Sequence, residues 1–278
     1  MRHAALSAPR RSLSFVFFVS FVASFFVFFV AMSVSAQSPA ATLAPTGTLR
    51  AVFLGTNPVH GRVDPQTGTP AGPVPDLVKE LAGSIGVPYT VTPAPDAAGV
   101  IAAVNAHQAD IGFLAYDVSR AREVEFGAPF IVMFNSYVVR AGSPIRSSGD
   151  VDRAGVTVAA VKGQTQELFV SSHIKSATVR VFQTMPAQPE LERLLTSGEV
   201  DAFAVNRQRA LDAVAASPRL VALPDSFLEV DQSFVVAKGD RAKLPIIETF
   251  VDRVRSSGFI KQSIDRAKLA GVDVARKK

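Results

Sequence analysis

Short apolar runs alternate with amphipathic stretches along most of this chain, and the alternation runs twice. The first pass predicts strands at Leu49–Leu54, Tyr89–Val91 and Ile111–Leu114, with helices at Pro75–Ile85 and Ala97–Gln108 between them. Pro75 suits a first helical turn, Leu77, Val78, Leu81 and Ile85 share one face, Gly86 suits the end, and Asp96 is placed to cap the second helix. A long strand at Phe130–Val139 follows and breaks at Gly142 and Pro144. The pattern then restarts, with strands at Val156–Val161, Val179–Phe182 and Val200–Val205. Helices fall at Thr165–Ser172, from Pro189 to Gly198, and at Arg207–Ala216. A last strand at Phe234–Ala237 precedes two amphipathic helices, one marked by Ile246, Phe250 and Val254 and one at Phe259–Leu269. Strands that alternate with helices belong to α/β folds with largely parallel sheets. The restart near 140–147 divides the chain into two lobes, and loops at strand ends converge between such lobes to bind ligands.

The first 36 residues stand apart. Arg2, Arg10 and Arg11 precede an almost wholly apolar run from Leu13 to Met32, and Val34-Ser35-Ala36 supplies small residues for cleavage. These three parts make residues 1–36 a secretory signal peptide, cleaved after Ala36. An uncleaved anchor is the other reading, since a run of that length spans a bilayer. The Pro/Ala-rich stretch from Gln37 to Thr46 favours cleavage and a flexible mature N-terminus. About 240 residues then remain, enough for one large domain or two lobes.

The composition excludes several chemistries. There is no cysteine, so disulfides, thiol nucleophiles and thiolate metal ligands are absent. His3, His60, His107 and His173 are too scattered to suggest a metal site. The formal charge of +5 falls to +2 without the three leader arginines, leaving 26 basic and 24 acidic residues. No Lys/Arg run with interleaved aromatics appears, which gives nucleic-acid binding no support. No cofactor motif and no serine nucleophile motif is present.

Four segments, in order and at matching spacing, resemble the bacterial extracellular solute-binding family 3, the amino-acid-type binding proteins of ABC importers. Gly72-Pro73-Val74-Pro75-Asp76-Leu77 resembles the entry to that family's first helix. Asp110-Ile111-Gly112 precedes Asp117-Val118-Ser119-Arg120, with Phe126 and Pro129-Phe130 following. Gly163-Gln164-Thr165-Gln166-Glu167 and Gly198-Glu199-Val200-Asp201-Ala202 are the third and fourth. The resemblance runs from about Gly47 to Asp265. It implies a two-lobed periplasmic binding protein-like fold of type II, each lobe a mostly parallel sheet flanked by helices. Lobe one would comprise 47–139 plus 228–278 and lobe two 144–226, joined by hinge strands near 137–141 and 226–230. It further implies a monomeric periplasmic protein that binds a small carboxylate-bearing ligand and hands it to a membrane ABC importer permease.

Within the resemblance, Arg120 would hold a ligand carboxylate through its planar fork of donors. The plainer reading is a solvated arginine paired with Glu123. Gln164 and Thr165 open a helix whose free N–H groups favour an anion, or Thr165 merely caps that helix. Two departures bear on the ligand. Asn206 stands where the family presents an aspartate to the ligand's α-ammonium group, though it also suits the cap of the helix from Arg207. Asn57 and His60 stand in a loop where amino-acid binders place aromatics, and a lone loop histidine is more often simply solvated. Tyr116 offers a stacking surface or belongs to the core, and Phe113 and Ala115 replace small hydroxyl residues. A carboxylate ligand without an α-ammonium group follows, such as a keto, hydroxy or aromatic acid, with Asp117 the acid most able to overturn that reading. An enzyme on the same scaffold, a cyclic-acid dehydratase with His60 as its acid/base group, is one alternative. A sensory or accessory docking protein is another.

Overall fold

The computed structural model describes residues 38–277 together with Met1; the expected signal peptide, 1–36, otherwise lies outside the described residues. The first run of elements is β1 (Leu49–Leu54), α1 (Pro73–Ile85), β2 (Tyr89–Ala94), α2 (Ala97–Asn105) and β3 (Ile111–Ala115). The long β4 (Val124–Arg140) leads to β5 (Thr157–Val161), α3 (Thr165–His173), β6 (Thr178–Phe182), α4 (Gln188–Ser197), β7 (Ala202–Asn206) and α5 (Arg207–Ala216). The chain closes with β8 (Leu220–Ala222), β9 (Leu228–Ala237), α6 (Leu244–Ser256), α7 (Phe259–Arg266) and β10 (Val272–Val274). A small hairpin pairs Arg62–Val63 with Pro70–Ala71.

One sheet runs β2-β1-β3-β9-β4-β7-β5-β6, with β8 and β10 also paired to β4. The strands that alternate with helices pair in parallel: β1 with β2 and β3, and β5 with β6 and β7. The two long strands, β4 and β9, are antiparallel to each other. This is the two-lobed α/β architecture of a type II binding protein. Strand β4 serves both halves, pairing with β9 up to Asn135↔Leu228 and with β7 from Asn135↔Asn206 onward. Its partner changes at Asn135, two residues before the expected hinge start.

Alternation along each strand sends side chains to two helical layers. Leu49, Ala51 and Phe53 of β1 face α1, α6 and α7, joining Leu77, Leu81, Phe250 and Ile260 in one cluster. Val52 and Leu54 face α2 with Val100 and Val104. The second half repeats this: Phe203 and Val205 pack on Leu191, Leu194 and Ala213, while Ala202 and Ala204 pack toward Val170. Burial on both faces is why β3 and β7 read as unbroken apolar runs. Gly112 in β3 is required by packing, because a Cβ there would lie 2.9 Å from Val235 and 3.0 Å from Val100 and Val104.

The repeat extends to polar detail. Asp110, buried just before β3, accepts the Arg50 main-chain N–H at 2.8 Å and the Arg50 guanidinium at 2.7 and 3.0 Å. Asp201, just before β7, accepts the Thr157 N–H at 2.8 Å in the same way. The two Asp-containing motifs of the sequence therefore pin the third strand of each half to the first.

Several boundaries differ from expectation, three of them for an identifiable reason. Helix α2 ends at Asn105 because His107 adopts a left-handed φ of 53° that stops it short of Gln108. Strand β4 starts at Val124, six residues early, since Pro129 interrupts the apolar pattern at a register shift opposite Ser233 without ending the strand. Strand β9 extends back to Leu228 because the polar residues Glu229, Asp231 and Gln232 hide its first half.

Candidate functional site

A cavity of about 210 Å³ lies where loops at the C-terminal ends of the parallel strands meet. Thr56 and Asn57 follow β1, Pro95 and Asp96 follow β2, and Ala115 and Arg120 end or follow β3. From the second half come Gln164, Thr165 and Gln166 after β5, a Gln183–Met185 stretch after β6, and Asn206 and Arg209 after β7. Six of the eight expected residues thus line one cavity: Asn57, Ala115, Arg120, Gln164, Thr165 and Asn206.

Arg120 is 5% exposed. Its Nη1 donates to Ala115 O at 3.0 Å and its Nη2 crosses to the second half, donating to Gly163 O at 2.8 Å. Among the described residues no carboxylate lies within ion-pair distance, so the expected pairing with Glu123 is not made. Two of five N–H donors are engaged, which leaves three for another acceptor. Burial lowers its pKa, an effect that the charge of Asp117 partly offsets. Gly163, at a left-handed φ of 71°, makes the turn that presents the carbonyl.

Thr165 begins α3, whose N-cap is Gln164 with no side-chain capping bond. The Thr165 hydroxyl is therefore not the cap of its own helix. Gln166 is buried and donates to Asn135 Oδ1 at 2.5 Å, which ties the cavity wall to the point where β4 changes partner. Asn206 caps α5 through Oδ1, accepting from Arg209 N at 2.8 Å. Helices α2, α3 and α5 all direct N-termini at the cavity, through Asp96, Gln164 and Asn206. Unsatisfied N–H groups and the dipole make each of these ends positive.

Two expected residues lie elsewhere. His60 is wholly buried and does not line the cavity. Its Nε2 lies 2.8 Å from Gln232 Oε1, its ring is 6.4 Å from that of Phe130, and Nδ1 has no hydrogen-bond partner among the described residues. Burial pushes its pKa down to about 4, with the charge of Arg120 adding to the fall and the Gln232 hydrogen bond opposing it. The imidazole is neutral at pH 7 and donates from Nε2 to Gln232, which also receives Asn57 Nδ2 at 3.5 Å. His60 thus backs the wall that Asn57 forms. Tyr116 is exposed, packed edge-on against Phe126 at 5.1 Å between centroids, and does not line the cavity either. Asp117 bonds Ser119 through N–H and hydroxyl, away from the lining.

Sequence reasoning missed Arg209. It lies in the first turn of α5 and donates to Thr56 O at 2.8 Å, across to the first half. Burial lowers its pKa; Asp212 opposes the shift and Arg62 adds to it. The walls carry three cations, Arg120, Lys162 and Arg209, against one acid, Asp96, whose Oδ1 accepts from Gly99 N at 2.7 Å. Leu54, Met133, Val161, Met185 and Val205 supply apolar surface, and none of the lining residues carries an aromatic ring.

The sequence model of the bacterial extracellular solute-binding proteins, family 3, matches residues 49–267. The chain belongs to this family. No curated protein matches it. Among solved structures, this family-3 protein is similar to a mutant of ArgBP from T. maritima, at 24% identity and a TM-score of 0.67 over 83% of this chain and 99% of that one. It is similar to a solute receptor for L-cysteine of Neisseria gonorrhoeae, at 19% identity and a TM-score of 0.70 over 87% and 100%. A third is the ancestral amino acid-binding protein AncCDT-1, a precursor of cyclohexadienyl dehydratase, at 22% identity and a TM-score of 0.67 over 82% and 98%. At these identities the likeness is one of fold. Among the described residues of this family-3 protein, no helix is long and apolar enough to cross a membrane, and no group of metal-ligating side chains is assembled.

Proposed function

We propose that this protein is a periplasmic solute-binding protein, exported by a cleaved signal peptide, that works as a monomer. Its lobes, 47–139 with 228–278 and 144–226, close on a small carboxylate-bearing ligand and deliver it to an ABC importer permease. The observation that carries the reading is Arg120, a buried guanidinium at the cavity wall with donors left over and, among the described residues, no carboxylate within ion-pair distance. Burying an unpaired cation is costly, and an anionic ligand removes that cost. Three helix N-termini act in the same direction. The ligand's carboxylate is bound by Arg120 and the Gly163–Thr165 turn, and Asn206 leaves an α-ammonium group without the negative partner it needs.

No specific observation favours the dehydratase alternative, because His60, its acid/base group, is not among the lining residues. Thermal-shift screening of carboxylic acids and amino acids on the purified chain identifies the ligand, since a molecule that binds only the folded state raises its stability. Arg120→Ala then tests the anchor. The expected loss is about 10- to 100-fold in affinity, the worth of a charge-assisted hydrogen-bonded pair, with an unchanged circular dichroism spectrum. Unaltered affinity would refute the anchor role.

A further inference from the structure

We infer that the ligand is a short aliphatic dicarboxylate, held at one end by Arg120 and at the other by Arg209 of the opposite half. The inference rests on the carboxylate reading above and extends it to the second acid group. Arg209, at the start of α5, is half-buried, and its one hydrogen bond among the described residues from the guanidinium goes to the neutral carbonyl of Thr56. The acid whose charge acts on Arg209, Asp212, is already in use: it accepts Arg62 Nη2 at 2.7 Å and Gln208 Nε2 at 2.8 Å. Arg62 also adds repulsion at Arg209. The cavity thus has two guanidiniums, one from each half, neither within ion-pair distance of a carboxylate among the described residues. A monoanion leaves one of them uncompensated, and a dianion satisfies both.

The surfaces between them define the body of the ligand. Leu54, Met133, Val161, Met185 and Val205 are aliphatic or thioether, and no ring lines the cavity for stacking. A short saturated chain matches such walls. Asn206 spends its Oδ1 on Arg209 N, so the side chain best placed for an ammonium group is engaged in capping. Asp96 is exposed and caps α2. Two acid groups without an amine match the two cavity guanidiniums and the excess of cations, Lys162 included, over the single acid Asp96.

Calorimetry on the purified chain tests this with succinate and glutarate against monomethyl succinate, butyrate and aspartate. The diacids are expected to bind about 10- to 100-fold more tightly than the monoester and butyrate, the worth of one charge-assisted pair. Arg209→Gln should erase the diacid's advantage over butyrate, and Arg209→Lys, which keeps the charge without the fork, should restore part of it. Equal affinity of monoacids and diacids for the unaltered chain overturns the inference and leaves the Arg120 reading standing. Tighter binding of aspartate than of succinate overturns it through the amine. If none of the five binds at millimolar concentration, the carboxylate reading falls as well. The comparison of ligands on the unaltered chain decides the matter even where a variant fails to fold.

Discussion

Arg120 and Arg209 strap the two halves together in opposite directions: Arg120 Nη2 donates to Gly163 O, Arg209 Nη2 donates to Thr56 O, and both distances are 2.8 Å. Each guanidinium takes its acceptor from the main chain of the other half, so both hydrogen bonds depend on the halves being together. On the proposed reading, an anion bound at these two side chains would couple ligand binding to lobe closure. The chain passes between the halves in β4 near Asn135 and in β9 near Leu228.

Closure on binding follows from that coupling. Small-angle scattering should give a smaller radius of gyration with a saturating ligand, established by calorimetry, than without it. Identical curves would show a protein that is rigid or already closed.

The Asp110–Arg50 pair is expected to matter for folding and not for the ligand. Asp110 is 2% exposed and accepts three bonds from one residue. Asp110→Asn removes the buried carboxylate that accepts from the half-buried Arg50, and should cost about 1–3 kcal/mol in urea unfolding. Ligand affinity measured well below the unfolding midpoint should change little. A loss below about 0.5 kcal/mol, the level of an ordinary surface change, would contradict the role.

His60 gives the protein a measurable pH dependence. Its folded pKa of about 4 lies below the ordinary value of 6.5, so between these two the unfolded chain binds the extra proton. Stability therefore rises with pH across that window and is lost on acidification from pH 6.5 toward 4. The contribution is about 3.5 kcal/mol at most, from about 1.4 kcal/mol per pKa unit over the shift from 6.5 to about 4. His60→Gln should flatten the stability-versus-pH slope in that window relative to the unaltered chain. Parallel slopes for the two proteins would show that the imidazole is not held neutral.

Much of this architecture is legible in the residues themselves. The doubled strand–helix alternation fixes the architecture because parallel strands must be apolar on both faces and their helices on one. Arg120, Gln164, Thr165 and Asn206 were legible because binding loops follow the C-terminal ends of such strands. Arg209 was not, since Arg207 and Arg209 lie in the same turn and only the fold sends Arg207 to Pro224 O and Arg209 into the cavity. The burial of His60, a loop residue expected either to be solvated or to meet the ligand, was not legible because its partner, Gln232, is 172 residues away on β9. Tyr116 looked available for stacking, but its ring packs on Phe126. Both errors concern contacts between distant segments, which periodicity does not record.

The central claim is that the cavity recognises a carboxylate without a partnering α-ammonium group. Isothermal calorimetry with matched pairs measures it directly: glutamate against 2-oxoglutarate, aspartate against oxaloacetate, alanine against pyruvate. Each pair keeps the carboxylate and replaces the amine by a keto oxygen, so the difference in affinity isolates the amine. With Asn206 neutral and engaged at Arg209 N, the keto acid should bind more tightly in each pair. If the amino acid binds more tightly across the pairs, a negative group does meet the ammonium, and the reading of Asn206 is wrong.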